Sequence, residues 1–230
     1  MNNKIILPTY VTNQPSTGKK VIFRPFTVKE EKALLLALQE DSRDTVVEAI
    51  KNVVSTCTLG AIDPATTPYY DMEYLYLQIR AKSVGEIIEL VGSCECGTDK
   101  KTEFAVDIGS IAIEPTPSGA EQIKIPDTPY TVTFTHPNID DLVKTSDGIE
   151  NHAEQVVANC ILGVYTDDEV MDWSKQEKLE FVESMTSLQQ RDVSKFLSAM
   201  PMVKMPTQYT CRHCGKNHTG TISGFENFFV

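Results

Sequence analysis

Two cysteine pairs more than a hundred residues apart constrain this chain more than any other feature. The first is Cys94-Glu95-Cys96-Gly97 and the second Cys211-Arg212-His213-Cys214-Gly215. Each lies on a short polar turn between strand-like stretches, 86–91 and 101–108 around the first, 202–209 and 219–223 around the second. A zinc knuckle has this pattern: the glycine after the second cysteine lets the backbone bend so that its amides face the sulfurs. Two knuckles supply the four thiolates of a closed tetrahedral site. Such a site would join the middle of the chain to its end, so it dictates topology as well as chemistry.

The setting favours metal over disulfides. The opening Met1-Asn2-Asn3-Lys4-Ile5-Ile6-Leu7-Pro8 does not read as a secretory leader. No run approaches the ~18–20 apolar residues of a membrane span. The expectation is a chain made in a cytoplasm, where paired cysteines bind metal or carry out redox chemistry. Cys94, Cys96, Cys211 and Cys214 are the candidate ligands of a structural Zn2+, because four thiolates leave no coordination position open for water. His218 could replace one thiolate, and His213 lies inside the turn; the simpler reading of both is exposed polar residues. A thiol–disulfide redox protein using Cys211-x-x-Cys214 is the competing reading. That chemistry needs the first cysteine at a helix N-terminus, and residues 215–220 cannot begin a stable amphipathic helix. A zinc-ribbon adaptor protein is a further alternative. Cys57 and Cys160 fall on apolar faces of predicted helices and read as buried small hydrophobes.

Charge and motifs exclude other functions. The net charge is −11, and no basic stripe offsets it, so nucleic acid is not an expected partner. Ser16-Thr17-Gly18-Lys19-Lys20 resembles a phosphate-binding loop only superficially. Asn13 stands where its first glycine belongs, and Lys20 where its Ser or Thr belongs, so the run reads as a hairpin turn. The acidic clusters Asp140-Asp141 and Asp167-Asp168-Glu169 suit helix starts or loops. No nucleophile–base spacing stands out, so neither enzymatic activity nor a small-molecule substrate is expected.

Periodicity predicts an α+β fold. Strands are expected at 4–11 and 19–24, then a helix capped by Thr27 and Glu30 that turns Val28, Leu34, Leu35 and Leu38 inward. Two more helices lead to the first knuckle. Residues 109–119, with Pro115 and Pro117, read as a linker between a first half, 1–108, and a second, 120–230. After it the pattern restarts: strands at 123–125 and 130–135, a short helix with Ile139, and a helix placing Ile149, Val156, Val157, Cys160 and Ile161 on one face. Val21-Ile22-Phe23 resembles Val132-Thr133-Phe134; residues 53–60 resemble 156–163 at an offset of 103, and the knuckles lie 117 apart. These matches favour an internal duplication whose equivalent ends are joined by a zinc-ribbon-like four-cysteine site. The terminal Phe225, Phe228 and Phe229 suit a segment that docks, on its own domain or on a partner.

Pro15-Ser16-Thr17-Gly18-Lys19, followed by Val21-Ile22-Phe23-Arg24-Pro25-Phe26-Thr27-Val28-Lys29-Glu30-Glu31, resembles the opening of the T4-type bacteriophage baseplate hub protein family. Cys94–Gly97, Cys211–Gly215 and Ile222-Ser223-Gly224-Phe225 before Phe228-Phe229 are similar to its later landmarks. The resemblance implies a non-enzymatic component of a contractile tail that works by protein–protein contact with other baseplate and tail proteins. It would be assembled in the host cytoplasm and located in the virion's tail baseplate. Exposed strand edges or the aromatic end would make those contacts.

Overall fold

The computed structural model describes residues 5–40, 42–109, 111, 113, 119–143 and 153–224, and the chain is a mixed helix-and-sheet, α+β protein. The polar run at 14–19 is a turn between β1 (Tyr10–Asn13) and β2 (Lys20–Phe23), which pair antiparallel. Strand alternation buries Val21 and Phe23 and leaves Lys20 and Ile22 outside. Ile5 and Ile6, expected in the first strand, precede it and are exposed. Next comes α1 (Val28–Gln39), where the Thr27 N–H donates to Glu30 Oε2 at 2.7 Å. Only Leu34 and Ala37 of α1 are buried, whereas Val28, Leu35 and Leu38 are exposed, contrary to the sequence expectation. Leu34-Leu35-Leu36 spread around about 200° of the helix, and a single packed stripe takes one of the three.

The Ser42 hydroxyl caps α2 (Arg43–Cys57), which buries Val47, Ile50, Val53, Val54 and Cys57. Behind it, α3 (Tyr69–Ser83) is buried around most of its circumference and forms the axis of the first core. β3 (Ile87–Cys94) and β4 (Gly97–Asp107) make the first knuckle hairpin. Further on, β5 (Ala120–Lys124), β6 (Thr131–Thr135), β7 (Ile161–Tyr165) and β8 (Val170–Met171) form an antiparallel sheet in that order. α5 (Ala153–Asn159), α6 (Lys175–Glu183) and α7 (Ser187–Ser198) pack with it, whereas α4 (Ile139–Val143) lies against α2 and α3. The second knuckle hairpin is β9 (Met205–Thr210) with β10 (Asn217–Ile222). Ile161, expected on a helix, starts β7, because the helix ends at Asn159 and the apolar run continues as strand.

Two apolar clusters result. One gathers β2, α1–α3, β3 and β4 and also takes Ile139, Val203 and Met205 from later in the chain. The other holds Ile123, Val132, Phe134, Cys160, Val164, Val182, Val193 and Phe196. His136 stacks on Phe196 of the second cluster at 4.4 Å and meets the buried Tyr70 of α3 edge-on at 5.5 Å. Ile111 and Ile113, from the stretch read as a linker, pack against the first cluster. The rest of its Pro-containing centre, the expected helical position of Ile149 and the aromatic residues 225–230 lie outside the described residues.

One hydrogen-bonding plan occurs twice. Tyr10 pairs with Phe23 and Asn13 with Lys20; 111 residues on, Glu121 pairs with Phe134 and Lys124 with Thr131. Both turns close alike, Gln14 N–H to the Lys19 carbonyl at 2.8 Å and Ile125 N–H to the Tyr130 carbonyl at 3.0 Å. After each hairpin a strand-end N–H reaches a helix-end cysteine: Arg24 donates to the Cys57 carbonyl at 2.9 Å, Thr135 to that of Cys160 at 2.8 Å. Asn138 and Asp141 then cap α4 reciprocally, through Asn138 N–H to Asp141 Oδ2 at 3.1 Å and Asp141 N–H to Asn138 Oδ1 at 3.0 Å. They stand where Thr27 and Glu30 cap α1. Even the turn anchors correspond. The third residue of α3, Asp71, accepts from Gln14 Nε2 (2.6 Å) and the Ser16 N–H (2.9 Å), and the third of α7, Gln189, donates to the Pro126 carbonyl (2.9 Å).

Candidate metal centre

The first knuckle forms where β3 ends in a register irregularity at Ser93 and Cys94, and Cys94 lies opposite Gly97. In the second, the Cys211 N–H donates to the Lys216 carbonyl at 2.9 Å and the Gly215 N–H to the Cys211 carbonyl at 3.0 Å. Gly215 takes φ +72°, a left-handed conformation that suits a residue without Cβ. These tight turns carry Cys94, Cys96, Cys211 and Cys214 together, with all four sulfurs within 4.8 Å of one another. Across the hairpins, Cys94 Sγ lies 3.7 Å from Cys214 Sγ, and Cys96 Sγ lies 3.7 Å from Cys211 Sγ. A tetrahedron of thiolates about 2.3 Å from zinc has an edge of about 3.8 Å, whereas a disulfide needs about 2.05 Å. The donor set and spacing fit a four-thiolate metal site.

Electrostatics agrees with that geometry. The backbone N–H groups of His213 and then Cys214 point at the Cys211 sulfur and lower its pKa to about 6. Desolvation, followed by hydrogen bonds to the other three sulfurs, pushes Cys96 up to about 12. Four sulfurs this close cannot all ionise without a cation among them. Zinc bound here would supply cross-linking rather than an open Lewis-acid position.

His218 stacks on Tyr209 at 4.8 Å and is not among the gathered ligands, while His213 is exposed. Cys211 follows a strand and opens a turn that leads into another strand, so no helix N-terminus supports it. Cys57 and Cys160 lie apart, each fully buried, and burial is the main cause raising both thiols to about 12.

Several supporting residues carry no local sequence signal. Tyr209 Oη donates to the Ser93 carbonyl at 2.6 Å, and its ring stacks on Phe104 at 4.8 Å. A Cβ at Gly92 would come within 2.3 Å of that ring, so glycine makes the close approach possible. The Arg212 N–H reaches the buried Thr102 Oγ1 at 3.3 Å, and Lys216 Nζ lies 3.1 Å from Glu95 Oε2. At the base of the second hairpin, buried Glu73 of α3 accepts from the Val203 N–H at 3.3 Å and the Gly224 N–H at 2.8 Å. The hairpin is held at both ends of its length.

Compared with known families, residues 7–230 match the T4 bacteriophage base plate protein family. The chain belongs to that family. Base plate family membership supports a structural role in a phage baseplate, with the virion tail as location and other tail and baseplate proteins as partners. No curated protein and no solved structure matches the chain. Among the described residues, no helix is long and apolar enough to cross a membrane.

Proposed function

We propose that this base plate family member is a non-catalytic structural subunit used in building the hub or wedge region of a contractile-tail baseplate. It acts through protein–protein contacts, and a zinc ion on Cys94, Cys96, Cys211 and Cys214 clamps the equivalent ends of two related halves. The family match over residues 7–230 carries the functional part of this reading. The gathering of four sulfurs within 4.8 Å supports the metal, and a closed thiolate set favours a structural ion over a reactive one. The shared hairpin register, turn closure and capping pattern support the two related halves.

Deleting the gene from its phage and imaging particles tests the role. Loss of assembled baseplates, restored by supplying the chain in trans, is the expected result; normal infectious particles after deletion would overturn it. Metal analysis with thiol titration tests the clamp. One zinc per chain with four protected thiols is expected, and a metal-free protein with a reactive Cys211 would favour redox chemistry instead.

A further inference from the structure

The two hairpins that match in register differ in what lies beside them. In the later one, β7 pairs antiparallel with β6, setting Tyr165 opposite Thr131, Val164 opposite Val132 and Gly163 opposite Thr133. It arrives there directly after the Cys160 carbonyl has accepted the Thr135 N–H. In the earlier hairpin the Cys57 carbonyl accepts the equivalent Arg24 N–H, but the chain then turns back. Leu59 and Gly60 adopt φ +58° and +77°, and the Gly60 N–H returns to the Ser55 carbonyl at 2.9 Å. No strand is delivered, and among the described residues β2 pairs with β1 alone.

The open edge is well formed. Because the Gln14 N–H bonds to the Lys19 carbonyl, antiparallel alternation aims the peptide groups of Val21 and Phe23 at β1 and those of Lys20 and Ile22 outward. The side chains differ from those of the covered hairpin as well. Val11 and Ile22 face each other across the first hairpin, 60% and 53% exposed, where the second has Gln122 and Thr133. At this pair the uncovered hairpin is the more apolar one, and Lys20 is the single charged residue on β2 that guards the edge.

We propose that the outer edge of β2 is a docking site for an extended segment of a baseplate partner, which adds as an antiparallel strand in the place that β7 takes beside β6. This deepens the reading of the chain as a contact-making baseplate subunit and rests on it. Main-chain bonds to Lys20 and Ile22 supply affinity, and alternate side chains of the incoming strand supply specificity. An apolar residue over Val11 and Ile22 and an acidic one opposite Lys20 fit this edge.

Ile22→Pro removes an outward N–H without touching the bonds to β1, a placement that edge strands tolerate. The double variant Val11→Gln with Ile22→Thr copies the residues of the covered hairpin and serves as the gentler test. Full-length variants, checked for unchanged melting and zinc content, are used to complement the gene deletion, and amide exchange of the chain is followed free and within isolated baseplates. Complementation about ten-fold or more poorer by both variants, with Ile22 and Lys20 amides slowed only in the baseplate, is the expected result. Full complementation by folded Ile22→Pro, or amide exchange unchanged on assembly, overturns the docking site while leaving the baseplate role intact. A free chain that dimerises through this edge, with the dimer lost in Ile22→Pro, replaces the partner by a second copy and overturns the partner assignment. A deletion without effect on baseplates defeats the broader reading instead.

Discussion

The two hairpin regions meet one folding problem with different side chains. Both close a hairpin over a six-residue turn, tie its end to a cysteine carbonyl and cap the next helix reciprocally. The first region couples strand to helix with charge: Arg24 pairs with Glu30 at 2.6 Å and reaches toward Cys57 Sγ at 3.7 Å. In the second, Thr135 takes the place of Arg24, and Asn159 Nδ2 donates to the capping Asp141 at 2.7 Å. Backbone geometry is kept while the chemistry around it changes. The knuckles follow the same rule. Gly92 and Tyr209 both lie two residues before the first cysteine of their knuckle, and one leaves the space the other fills.

Cysteine substitutions should separate the clamp from the repeated packing most sharply. Cys211→Ser removes one of four gathered sulfurs, and the metal-linked folding energy at stake is on the order of 10 kcal/mol. Melting temperature and zinc content should fall together, and a chelator should do the same to the wild type. Cys57→Ser and Cys160→Ser bury a hydroxyl in each core at a cost of about 1–3 kcal/mol and leave zinc bound. Equal losses from Cys211→Ser and Cys160→Ser would mean that the gathered thiols hold no metal.

The turn anchors come next. Asp71→Ala strips the Ser16 N–H and the Gln14 amide of their buried acceptor and should cost about 3 kcal/mol, against about 1 kcal/mol for Gln189→Ala. Burial is the main cause raising the Asp71 carboxyl above its ordinary value of 3.8, outweighing the donors from Ser16 and Gln14. A carboxyl raised on folding holds its proton to higher pH in the folded chain than in the unfolded one. Its share of stability is therefore lost as pH rises from 3.8 through the folded value. Asp71→Asn should abolish that part of the pH dependence in chemical unfolding, and Gln189→Ala should not alter it.

At the knuckles, Gly92→Ala places a methyl against the Tyr209 ring and should cost about 1–3 kcal/mol. Combining it with Tyr209→Ala should recover much of that overpacking loss, measured as a double-mutant cycle in denaturant. Additive effects would show that the two hairpins do not press on each other.

What could be read from the sequence was local. The cysteine pairs announce their knuckles by spacing and glycine, and Thr27 with Glu30 announces a helix start. The likeness of Val21-Ile22-Phe23 to Val132-Thr133-Phe134 is legible in the sequence, whereas the common register of the two hairpins needs the paired strands. Elements failed where local pattern was degenerate. Cys160 and Ile161 continue the apolar face of α5 past Asn159 at helical spacing, so the start of β7 reads as helix, and three consecutive leucines in α1 do not reveal which one is buried. Glu73, Gly92 and Tyr209 act across more than a hundred residues, and no periodicity reports such contacts.

The smallest effect separates the ionic link of the first hairpin region from the amide link of the second. The hydrogen bond from Arg24, and then the Thr27 N–H and hydroxyl, hold the Glu30 carboxyl at about 2 against the opposing effect of burial. A depressed carboxyl stabilises the fold above its ordinary value of 4.5, and that stability is lost as pH falls from 4.5 through about 2. The pair is partly solvated, so Glu30→Gln should cost about 1 kcal/mol at neutral pH. The difference from wild type should shrink as acid protonates Glu30 and should also diminish in high salt. Asn159→Ala removes an amide that carries no charge, so its cost should stay constant with salt. Salt-independent costs for both variants would mean that capping geometry, which the two regions share, outweighs the charge that distinguishes them.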